Sequence, residues 1–283
     1  MGKADCHIHM ILDGADWRAA IARHSPQPDE TFIRQTLASY RDAGYTYLRD
    51  GGDRWGAGQR ARELAPEYGI TYRTPLANLC MAGHYGTFIG DKYENLHEYA
   101  DLVKKARASG ADFIKIMISG LMDFDRFGVL TDTPLPPDII RELIAIAHAE
   151  GFAVMAHCNG ARTAQAAAEA GVDSIEHGAY LDEDALAAMA EGRVIWCPTL
   201  STIANLRGKG RFDEDAVRRI LDSALENVAR YHALGGTVAP GSDAGAWQVF
   251  HGGRTEYELL EQAMGERFHD AMEQGKQAIR ARF

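Results

Sequence analysis

Residues 112–178 alternate between β-rich runs and helical patterns: DFIKIMIS (112–119), a helical pattern at 137–150, FAVMAHC (152–158), a second at 160–170, and SIEHG (174–178). Each of the two helical patterns is followed by a glycine, the residue that most easily takes the left-handed backbone at a helix end. Strands that alternate with helices usually pair in parallel, because each helix returns the chain to the start of the next strand. This stretch therefore predicts an α/β fold with a parallel sheet.

The same alternation extends over the rest of the chain. Eight strands, each followed by a helix, are typical of a (β/α)8 barrel, which takes about 250 residues. We therefore expect one domain, 1–283, with an added helix at about 266–283. The other β-rich runs lie at 4–10, 45–52, 70–79, 193–200 and 236–243, and the other helical patterns at 29–44, 57–68, 94–109, 182–191, 213–234 and 254–265.

Composition narrows the class of protein. A net charge of −10 argues against a nucleic-acid or anionic-membrane partner, which normally needs a basic surface. No apolar stretch approaches the roughly 20 residues of a membrane span, and the first residues do not resemble a signal peptide. The four cysteines lack a CxxC spacing and indicate reduced, buried thiols. We expect a cytoplasmic protein that acts on a small molecule. The sequence is compatible with a homo-oligomer but does not determine the oligomeric state.

Polar residues that can bind metal ions mark the ends of the predicted strands. In a parallel barrel the carboxyl ends of all strands meet at one face, where active sites are built. Histidine and carboxylate ligands from several strands can hold divalent ions there. The candidate ligands are His7, His9, Lys115, His157, His177 and Asp243.

Each of these residues alone also has an ordinary structural interpretation. His7 and His9 are two apart on a strand and share a face, but such pairs also occur by chance. His157 or His177 alone would more often be a hydrogen-bonded structural histidine, and Asp243 in GSDAG is compatible with a turn or helix cap. Their joint placement at strand ends favours a metal site, in which Asp243 would be both ligand and general base.

Lys115 is the residue least like a metal ligand. It lies in the run FIKIM (113–117), where a charged ammonium is costly unless it is paired or neutral. A salt-bridged lysine, a Schiff-base lysine with a lowered pKa and a lysine carboxylated by CO2 are all compatible with this position. We favour the third, because four histidines imply metal ions and a carboxylated lysine would supply an anionic bridge between them.

Taken together, these residues resemble the amidohydrolase superfamily. The order HxH, Lys, His, His, Asp on strands 1, 4, 5, 6 and 8 is similar to that of its metal-dependent hydrolases. The sequence segments around these residues resemble those of its imidazolonepropionase-like and prolidase-like (Xaa-dipeptidase) branch. These segments are DCHIHM, ADFIKIMISG, AVMAHCNG, DSIEHG and PGSDAG. The resemblance covers the barrel from residue 4 to about 262.

The resemblance implies a binuclear metal centre with Lys115 present as N6-carboxylysine. Zinc is the expected metal, with Mn, Fe, Co or Ni as alternatives, and CO2 is required to carboxylate the lysine. A hydroxide that bridges the ions would attack the substrate carbonyl, and Asp243 would pass the proton to the leaving nitrogen. The first ion would be held by His7, His9, Lys115 and Asp243, and the second by His157, His177 and the shared Lys115.

Three long connections follow strands on the same face, at 81–93, 120–136 and 201–212, and we expect substrate to bind among them. His84 and His251 lie at positions similar to substrate-contacting residues of the branch that the chain resembles. The full set of candidate substrate contacts is His84, Tyr85, Arg126, Asn159, Tyr180 and His251.

A substrate carboxylate would need a cationic anchor, and we expect one of Arg126, Arg207 and Arg254 to line the pocket. The expected function is hydrolysis of a small-molecule C–N bond, such as that of a dipeptide, an N-acyl amino acid or a cyclic amide. A lactone or other ester hydrolase on the same metal centre is an alternative. A non-catalytic barrel that binds a small molecule is a second alternative.

Several neighbouring residues are interpreted as structural. Glu176 alternates with the histidine that follows it and is expected to point outward, toward the helices. Arg49 and Asp50 end the second strand and are expected to form an ion pair at the barrel rim. Cys6 and Ile8 are expected to face away from the histidines of the first strand.

Two features depart from the pattern of the family. Many members carry a small β-sandwich built from segments on both sides of the barrel. The first strand of this chain begins within the first few residues, so we expect a barrel without that sandwich. The loop SGLMDFDRFG (119–128) also lacks the pair of glycines that is typical after the serine in this branch.

Overall fold

The β-rich runs of the sequence form short parallel strands whose residues are mostly buried. The computed structural model describes residues 2–283. Strands covered on both faces hold few polar residues, which explains the near-continuous apolar runs. The strands are β1 (Lys3–Ile8), β2 (Tyr45–Asp50), β3 (Thr71–Arg73), β4 (Asn78–Met81), β5 (Asp91–Tyr93), β6 (Ile114–Met117), β7 (Val154–Cys158), β8 (Ser174–His177), β9 (Ile195–Cys197) and β10 (Thr237–Val238).

Helices follow the strands and bury their apolar faces against them. Several begin at a side chain that accepts a backbone N–H of the first turn, among them Asp29, Asn95, Asp182 and Asp213, as a helix start requires. The helices are α1 (Trp17–Arg23), α2 (Glu30–Asp42), α3 (Ala57–Leu64), α4 (Leu96–Ala108), α5 (Pro137–Ala149), α6 (Ala161–Glu169), α7 (Glu183–Glu191), α8 (Ser201–Ala204), α9 (Glu214–Ala233), α10 (Thr255–Met264) and α11 (Phe268–Arg282).

The strands close into a barrel. Two sheets, in the orders β1-β2-β3 and β10-β9-β8-β7-β6-β4-β5, join on one side where β3 leads into β4 through residues 74–77. On the other side, the Asp243 N–H donates to the His7 carbonyl at 2.7 Å, and the His9 N–H donates to the Ala244 carbonyl at 2.7 Å. The predicted (β/α)8 architecture is therefore confirmed.

The third barrel strand differs from its prediction as one run at 70–79. It is broken into β3 and β4 near Pro75, which has no N–H to donate to a neighbouring strand, and Leu76 takes a left-handed backbone with φ of 66°. The break lets β3 pair with β2 while β4 pairs with β6. No pattern in the sequence had indicated β5 or the short helices α1 and α8.

Apolar side chains fill the amino-terminal end of the barrel. Ile279 of α11 and the adjacent Phe283 pack inside with Cys6 and neighbouring strand residues. Cys6 was expected to face the helices. It lies in the interior instead, since the register of β1 against β2 shifts between Asp5 and Ile8, and such an irregularity interrupts the alternation of side chains.

Two further properties follow from the described residues. The four cysteines, Cys6, Cys80, Cys158 and Cys197, are free and buried. Within residues 2–283, none of the helices combines the length and the apolar character that crossing a bilayer requires.

We predict that Gly275→Ala destabilises the fold. Gly275 lies where α11 crosses β10, and an added Cβ would come within 2.8 Å of the Ala239 Cα. Alanine normally stabilises an exposed helix position by about 1 kcal/mol over glycine. Here we expect the opposite sign, with a loss of about 1–3 kcal/mol from overpacking, measured by urea denaturation. Gln274→Ala, at an exposed position of the same helix, is the control, and unchanged stability of Gly275→Ala would contradict the packing described.

Candidate metal centre

The carboxyl ends of the strands surround a cavity of about 930 Å³, a size typical of small-molecule sites. Polar groups from β1, β6, β7, β8 and the segment after β10 line it, since parallel strands bring these ends to one face. The structure brings together all six residues proposed as metal ligands from the sequence: His7, His9, Lys115, His157, His177 and Asp243.

These side chains are close enough to share ions. Asp243 Oδ1 lies 3.3 Å from His9 Nε2 and 3.6 Å from His7 Nε2. The ring centroids of His157 and His177 are 4.4 Å apart. One ligand atom from each of His7, His177 and Asp243 lies within 4.8 Å of the others, a spacing compatible with one ion among them.

Four buried polar atoms of this group have no hydrogen-bond partner: His7 Nε2, His9 Nδ1, Lys115 Nζ and Asp243 Oδ1. Buried polar atoms are rarely left unpaired, because each unpaired group costs about 1–3 kcal/mol. Imidazole nitrogens and carboxylate oxygens are the donor atoms that divalent ions such as zinc prefer. The residues therefore fit a metal centre in donor type and in placement.

Hydrogen bonds on the outer side of two rings leave nitrogen lone pairs for the cavity. His7 Nδ1 lies 2.8 Å from a Glu176 carboxylate oxygen, and His157 Nε2 lies 3.1 Å from the Gly120 carbonyl oxygen. Both oxygens can only accept, so each of these nitrogens carries the proton of its ring. His7 Nε2 and His157 Nδ1 therefore hold the lone pairs, which is the tautomer that binds a metal.

Burial favours neutral side chains in this centre. Loss of hydration, followed by the charge of Lys115, lowers the pKa of His7 to about 4 and that of His157 to about 3. Burial and the neighbouring His157 lower the pKa of His177 well below its usual value. Burial also lowers the pKa of Lys115 to about 8. For Asp243 burial opposes ionisation, but the neighbouring histidines outweigh it and lower the pKa of the carboxyl group.

Glu176 points into the barrel, which corrects its expected outward orientation. The side chain is fully buried and accepts hydrogen bonds from His7 Nδ1 at 2.8 Å, Arg49 Nη2 at 2.8 Å and the Ser174 hydroxyl at 2.6 Å. Strict alternation fails because His177 takes a left-handed backbone, with φ of 70°. The side chains of Glu176 and His177 therefore both face the barrel interior. Burial would raise the pKa of Glu176, yet Arg49 and His7 hold it well below its usual range.

The expected ion pair between Arg49 and Asp50 does not form. Arg49 points into the barrel, while Asp50 accepts hydrogen bonds from the Met10 N–H at 3.1 Å and the Thr74 hydroxyl at 3.0 Å. Consecutive residues of a strand face opposite sides, so their side chains cannot meet. Arg49 therefore belongs to the interior beneath the metal centre rather than to its rim.

Two of the proposed ligands sit on strained backbone. His177 and Asp243 adopt φ of 70° and 57°, in a region where a residue with a side chain costs about 1–3 kcal/mol. Hydrogen bonds hold both segments: the Trp196 indole N–H donates to the His177 carbonyl at 3.1 Å, and the Asp243 N–H donates to His7. Strain of this kind concentrates at functional sites.

Only one of the candidate substrate contacts lines the cavity. Tyr85 does so, with its ring centroid 4.8 Å from that of His157. His84 instead pairs with Asp132 at 3.1 Å. His251 bonds through Nε2 to a backbone carbonyl at 2.9 Å and through Nδ1 to a tyrosine hydroxyl at 3.2 Å.

The other three candidate substrate contacts, Asn159, Tyr180 and Arg126, bond to or pack against residues of the loops. Asn159 donates to the Gly120 carbonyl at 3.0 Å and accepts from the Ala179 N–H at 2.9 Å, which joins two loops. The ring of Tyr180 packs against Phe127, and Arg126 pairs with the carboxylate three residues before it. A substrate role for these residues stays a prediction.

The cationic lining of the cavity is not the one expected. The residues that line the cavity do not include Arg126, Arg207 or Arg254. Arg126 pairs with a neighbouring carboxylate, and the side chains of the other two arginines are exposed to solvent. Arg18 and Arg211 line it instead. Arg211 lies in the long connection predicted at 201–212, whereas Arg18 belongs to α1, which no pattern in the sequence had indicated.

Aromatic rings form two walls of the cavity. On one side the Phe124 and Phe212 rings lie 5.3 Å apart, and the Arg211 guanidinium lies 4.4 Å from the Trp247 ring and 5.1 Å from Phe212. This stacking orients the guanidinium. A second wall is made by Trp17, Phe88 and Tyr85, whose successive ring centroids are 5.4 Å and 6.0 Å apart.

Known proteins resemble this chain in sequence. A family model described as Amidohydrolase family matches residues 2–283. An ochratoxinase from Aspergillus niger is 26% identical over an alignment that covers 91% of this chain and 59% of that protein. An uncharacterized protein from Mycobacterium tuberculosis is 31% identical over 141 residues, 48% of this chain and 38% of its own length. The chain thus spans 38% to 59% of the length of these curated relatives.

Solved structures share the fold. A crystal structure described as a Xaa-Pro dipeptidase with bound methionine superimposes with a TM-score of 0.78 at 19% identity, covering 99% of this chain and 75% of that one. The crystal structure of the Aspergillus niger ochratoxinase superimposes with a TM-score of 0.79 at 20% identity, covering 98% and 71%. At these identities the likeness is one of fold.

We predict that the metal-free protein loses stability as the pH falls from about 6.5, the ordinary pKa of histidine, toward 4. The unfolded chain takes up protons at His7 and His157 in this range, whereas the folded rings accept them only near pH 4 and 3. Proton uptake therefore favours the unfolded state.

Urea unfolding of chelator-treated protein measures the effect. His7→Gln should show a shallower dependence on pH, and His97→Gln, at a side chain 86% exposed, should leave it unchanged. Equal slopes for His7→Gln and wild type would contradict this account.

Proposed function

The chain belongs to the amidohydrolase family, and on that premise we propose that it is a metal-dependent hydrolase that cleaves an amide C–N bond of a small molecule. The observation that carries the proposal is the group of four buried, unpartnered polar atoms on residues that line one cavity. The Xaa-Pro dipeptidase among its structural neighbours favours an amide over an ester.

Two divalent ions are the cofactors of this proposal. They would lower the pKa of a water molecule and polarise the substrate carbonyl. Neutral imidazoles, a carboxylate and an anionic lysine derivative suit zinc. The residues assigned to the first ion are His7, His9, Lys115 and Asp243, and those assigned to the second are His157, His177 and Lys115.

Lys115 contributes to this centre as a carbamate. An ammonium would repel cations, but burial to 1% exposure and a pKa near 8 leave part of the amine neutral at physiological pH. The neutral nitrogen adds to the carbon of CO2, a C=O electron pair moves onto oxygen, and one amine proton is released to solvent. The carbamate would supply an anionic pair of oxygens to the centre. A Schiff-base role would give the four neighbouring histidines no function.

Asp243 moves the proton. Its lowered pKa keeps the carboxylate ionised at neutral pH, so it can accept a proton from the attacking water. It then delivers that proton to the amide nitrogen, which must be protonated before the C–N bond breaks. One of its oxygens lies within 3.6 Å of both His7 and His9, so the carboxylate sits among the proposed ligands of the first ion.

The cavity favours an amide with bulky apolar substituents and a carboxylate. The two aromatic walls line the same cavity as the centre and offer apolar surface. The stacked Arg211 offers a planar pair of donors that matches a carboxylate. N-acyl amino acids and dipeptides have both features.

We predict that Lys115→Met lowers kcat/KM at least about a hundredfold, equivalent to about 2.7 kcal/mol of activation free energy, because the centre loses its shared anionic bridge. After chelation, zinc uptake by wild type should increase with bicarbonate, while uptake by Lys115→Met should not respond to it. Lys276→Met removes another largely buried lysine, whose ammonium bonds to the Gly2 carbonyl, and should behave as wild type. A Lys115→Met enzyme with full activity and full zinc content would contradict the proposal.

A second prediction concerns Arg211. Arg211→Ala should raise KM about 10-fold or more for N-acyl amino acids, since a charged hydrogen bond contributes about 1.5–3 kcal/mol, and should change KM little for the matching N-acyl amino acid amides. Arg207→Ala, an exposed arginine of the same loop, is the matched control. Equal effects of Arg211→Ala on acids and amides would remove Arg211 as the carboxylate anchor.

A substrate panel on zinc-loaded protein tests the reaction class. It should contain N-acyl amino acids, dipeptides, cyclic amides, lactones and simple esters. We expect turnover of the amides. Turnover of lactones or esters alone would replace the proposal with an ester hydrolase, and binding without turnover of any class would favour a non-catalytic barrel.

A further inference from the structure

A charged pair lies inside the barrel directly beneath the proposed metal centre. Glu176 and Arg49 each have 0% side-chain exposure and are joined by a 2.8 Å contact between Glu176 Oε1 and Arg49 Nη2. The other carboxylate oxygen, Oε2, accepts from His7 Nδ1 at 2.8 Å. The proposed reaction assigns no step to either residue, so their retention in the interior needs its own explanation.

Arg49 is itself fixed by hydrogen bonds to the two strands that carry His7 and Glu176. Its Nε donates to the Cys6 carbonyl at 2.6 Å, on the strand that carries His7, and its Nη1 donates to the Ser174 hydroxyl at 2.9 Å, on the strand that carries Glu176. One guanidinium thus connects β1, β2 and β8. The Ser174 hydroxyl in turn donates to Glu176 Oε1 at 2.6 Å.

The last residues of the described chain cover this pair. The Phe283 ring lies 4.4 Å from the Arg49 guanidinium carbon, and the Phe113 ring meets Phe283 edge to face at 5.3 Å. These rings, with Ile279 of α11, close the end of the barrel opposite the cavity. A guanidinium stacked on an aromatic ring keeps its orientation.

Stability alone does not account for such a pair. A buried ion pair can often be replaced by apolar side chains without loss of stability. A carboxylate that accepts the outer N–H of a ligating histidine has a separate effect, because it sets the tautomer and the ring angle of that ligand. Glu176 has the position and the charge for this task.

We propose that Glu176 is the positioning residue for His7, and that Arg49, covered by Phe283, holds Glu176 in place for it. The closed end of the barrel then determines how His7 Nε2 is presented to the metal site. This inference rests on the proposed function, since His7 is a proposed ligand.

Glu176→Gln tests the inference with little change in volume. A glutamine cannot satisfy both His7 Nδ1–H and Arg49 with one oxygen, so either the His7 hydrogen bond or the Arg49 contact is lost. We expect the affinity for cobalt(II), measured by competition with a chromophoric chelator, to fall about 10- to 100-fold. The visible spectrum of bound cobalt should also change, because the ligand field at His7 is altered.

Glu256→Gln is the matched control. Glu256 is another buried carboxyl group, bonded to the Ser201 N–H and hydroxyl, with no contact to a proposed ligand. Its cobalt affinity and spectrum should match those of wild type. If Glu176→Gln fails to fold, Ser174→Ala removes one donor to Glu176 and should weaken cobalt binding several-fold.

The outcomes separate the two claims. Wild-type affinity and spectrum in folded Glu176→Gln, with cobalt bound by wild type, would overturn the positioning role and leave the metal centre standing. If only Ser174→Ala folds, wild-type cobalt affinity and spectrum in that variant would also overturn the positioning role of Glu176. Failure of wild type to bind cobalt would overturn the proposed function and this inference with it.

Discussion

Closure of the barrel between its first and last strands is the constraint on which the site depends. Three hydrogen bonds of 2.7 Å join these segments: Asp243 N–H to the His7 carbonyl, His9 N–H to the Ala244 carbonyl, and Cys6 N–H to the Pro240 carbonyl. They bring an aspartate from the end of the chain beside two histidines from its start. An open sheet of the same strands would leave these residues at opposite edges.

Closure also explains why the clustering of the proposed ligands could be predicted from the sequence. Residues at the carboxyl ends of parallel strands meet at one face whatever their separation along the chain, so recognising the strands was sufficient to group His7, Lys115, His157, His177 and Asp243. The prediction needed only strand positions correct to a residue or two. It did not need side-chain conformations.

The errors arose where local backbone geometry or long-range pairing decides the outcome. Glu176 was assigned to the wrong side because the left-handed backbone of His177 leaves no mark in hydrophobic alternation. Cys6 was misassigned for a related reason, the register shift in β1. Arg126, Arg207 or Arg254 was expected to line the pocket, and Arg211 was not considered. Sequence patterns do not reveal that Arg126 pairs with a nearby carboxylate while Arg211 stacks on Trp247. These contacts depend on loops whose paths are set by packing.

The two ends of the barrel are linked through its interior. At the open end, residues that carry unpartnered nitrogen and oxygen atoms line a cavity with aromatic walls. At the closed end, the rings of Phe113 and Phe283 pack against Arg49, which in turn contacts Glu176 and, through it, His7. Phe283, the residue that follows α11, is thus linked to the proposed ligand His7 by three successive contacts.

Anomalous X-ray diffraction at the zinc absorption edge, on crystals of zinc-loaded protein, tests the central claim most directly. The account predicts two zinc peaks in the cavity, one beside His7, His9 and Asp243 and one beside His157 and His177, with continuous density from Lys115 Nζ between them. The absence of any zinc peak among these residues would contradict it.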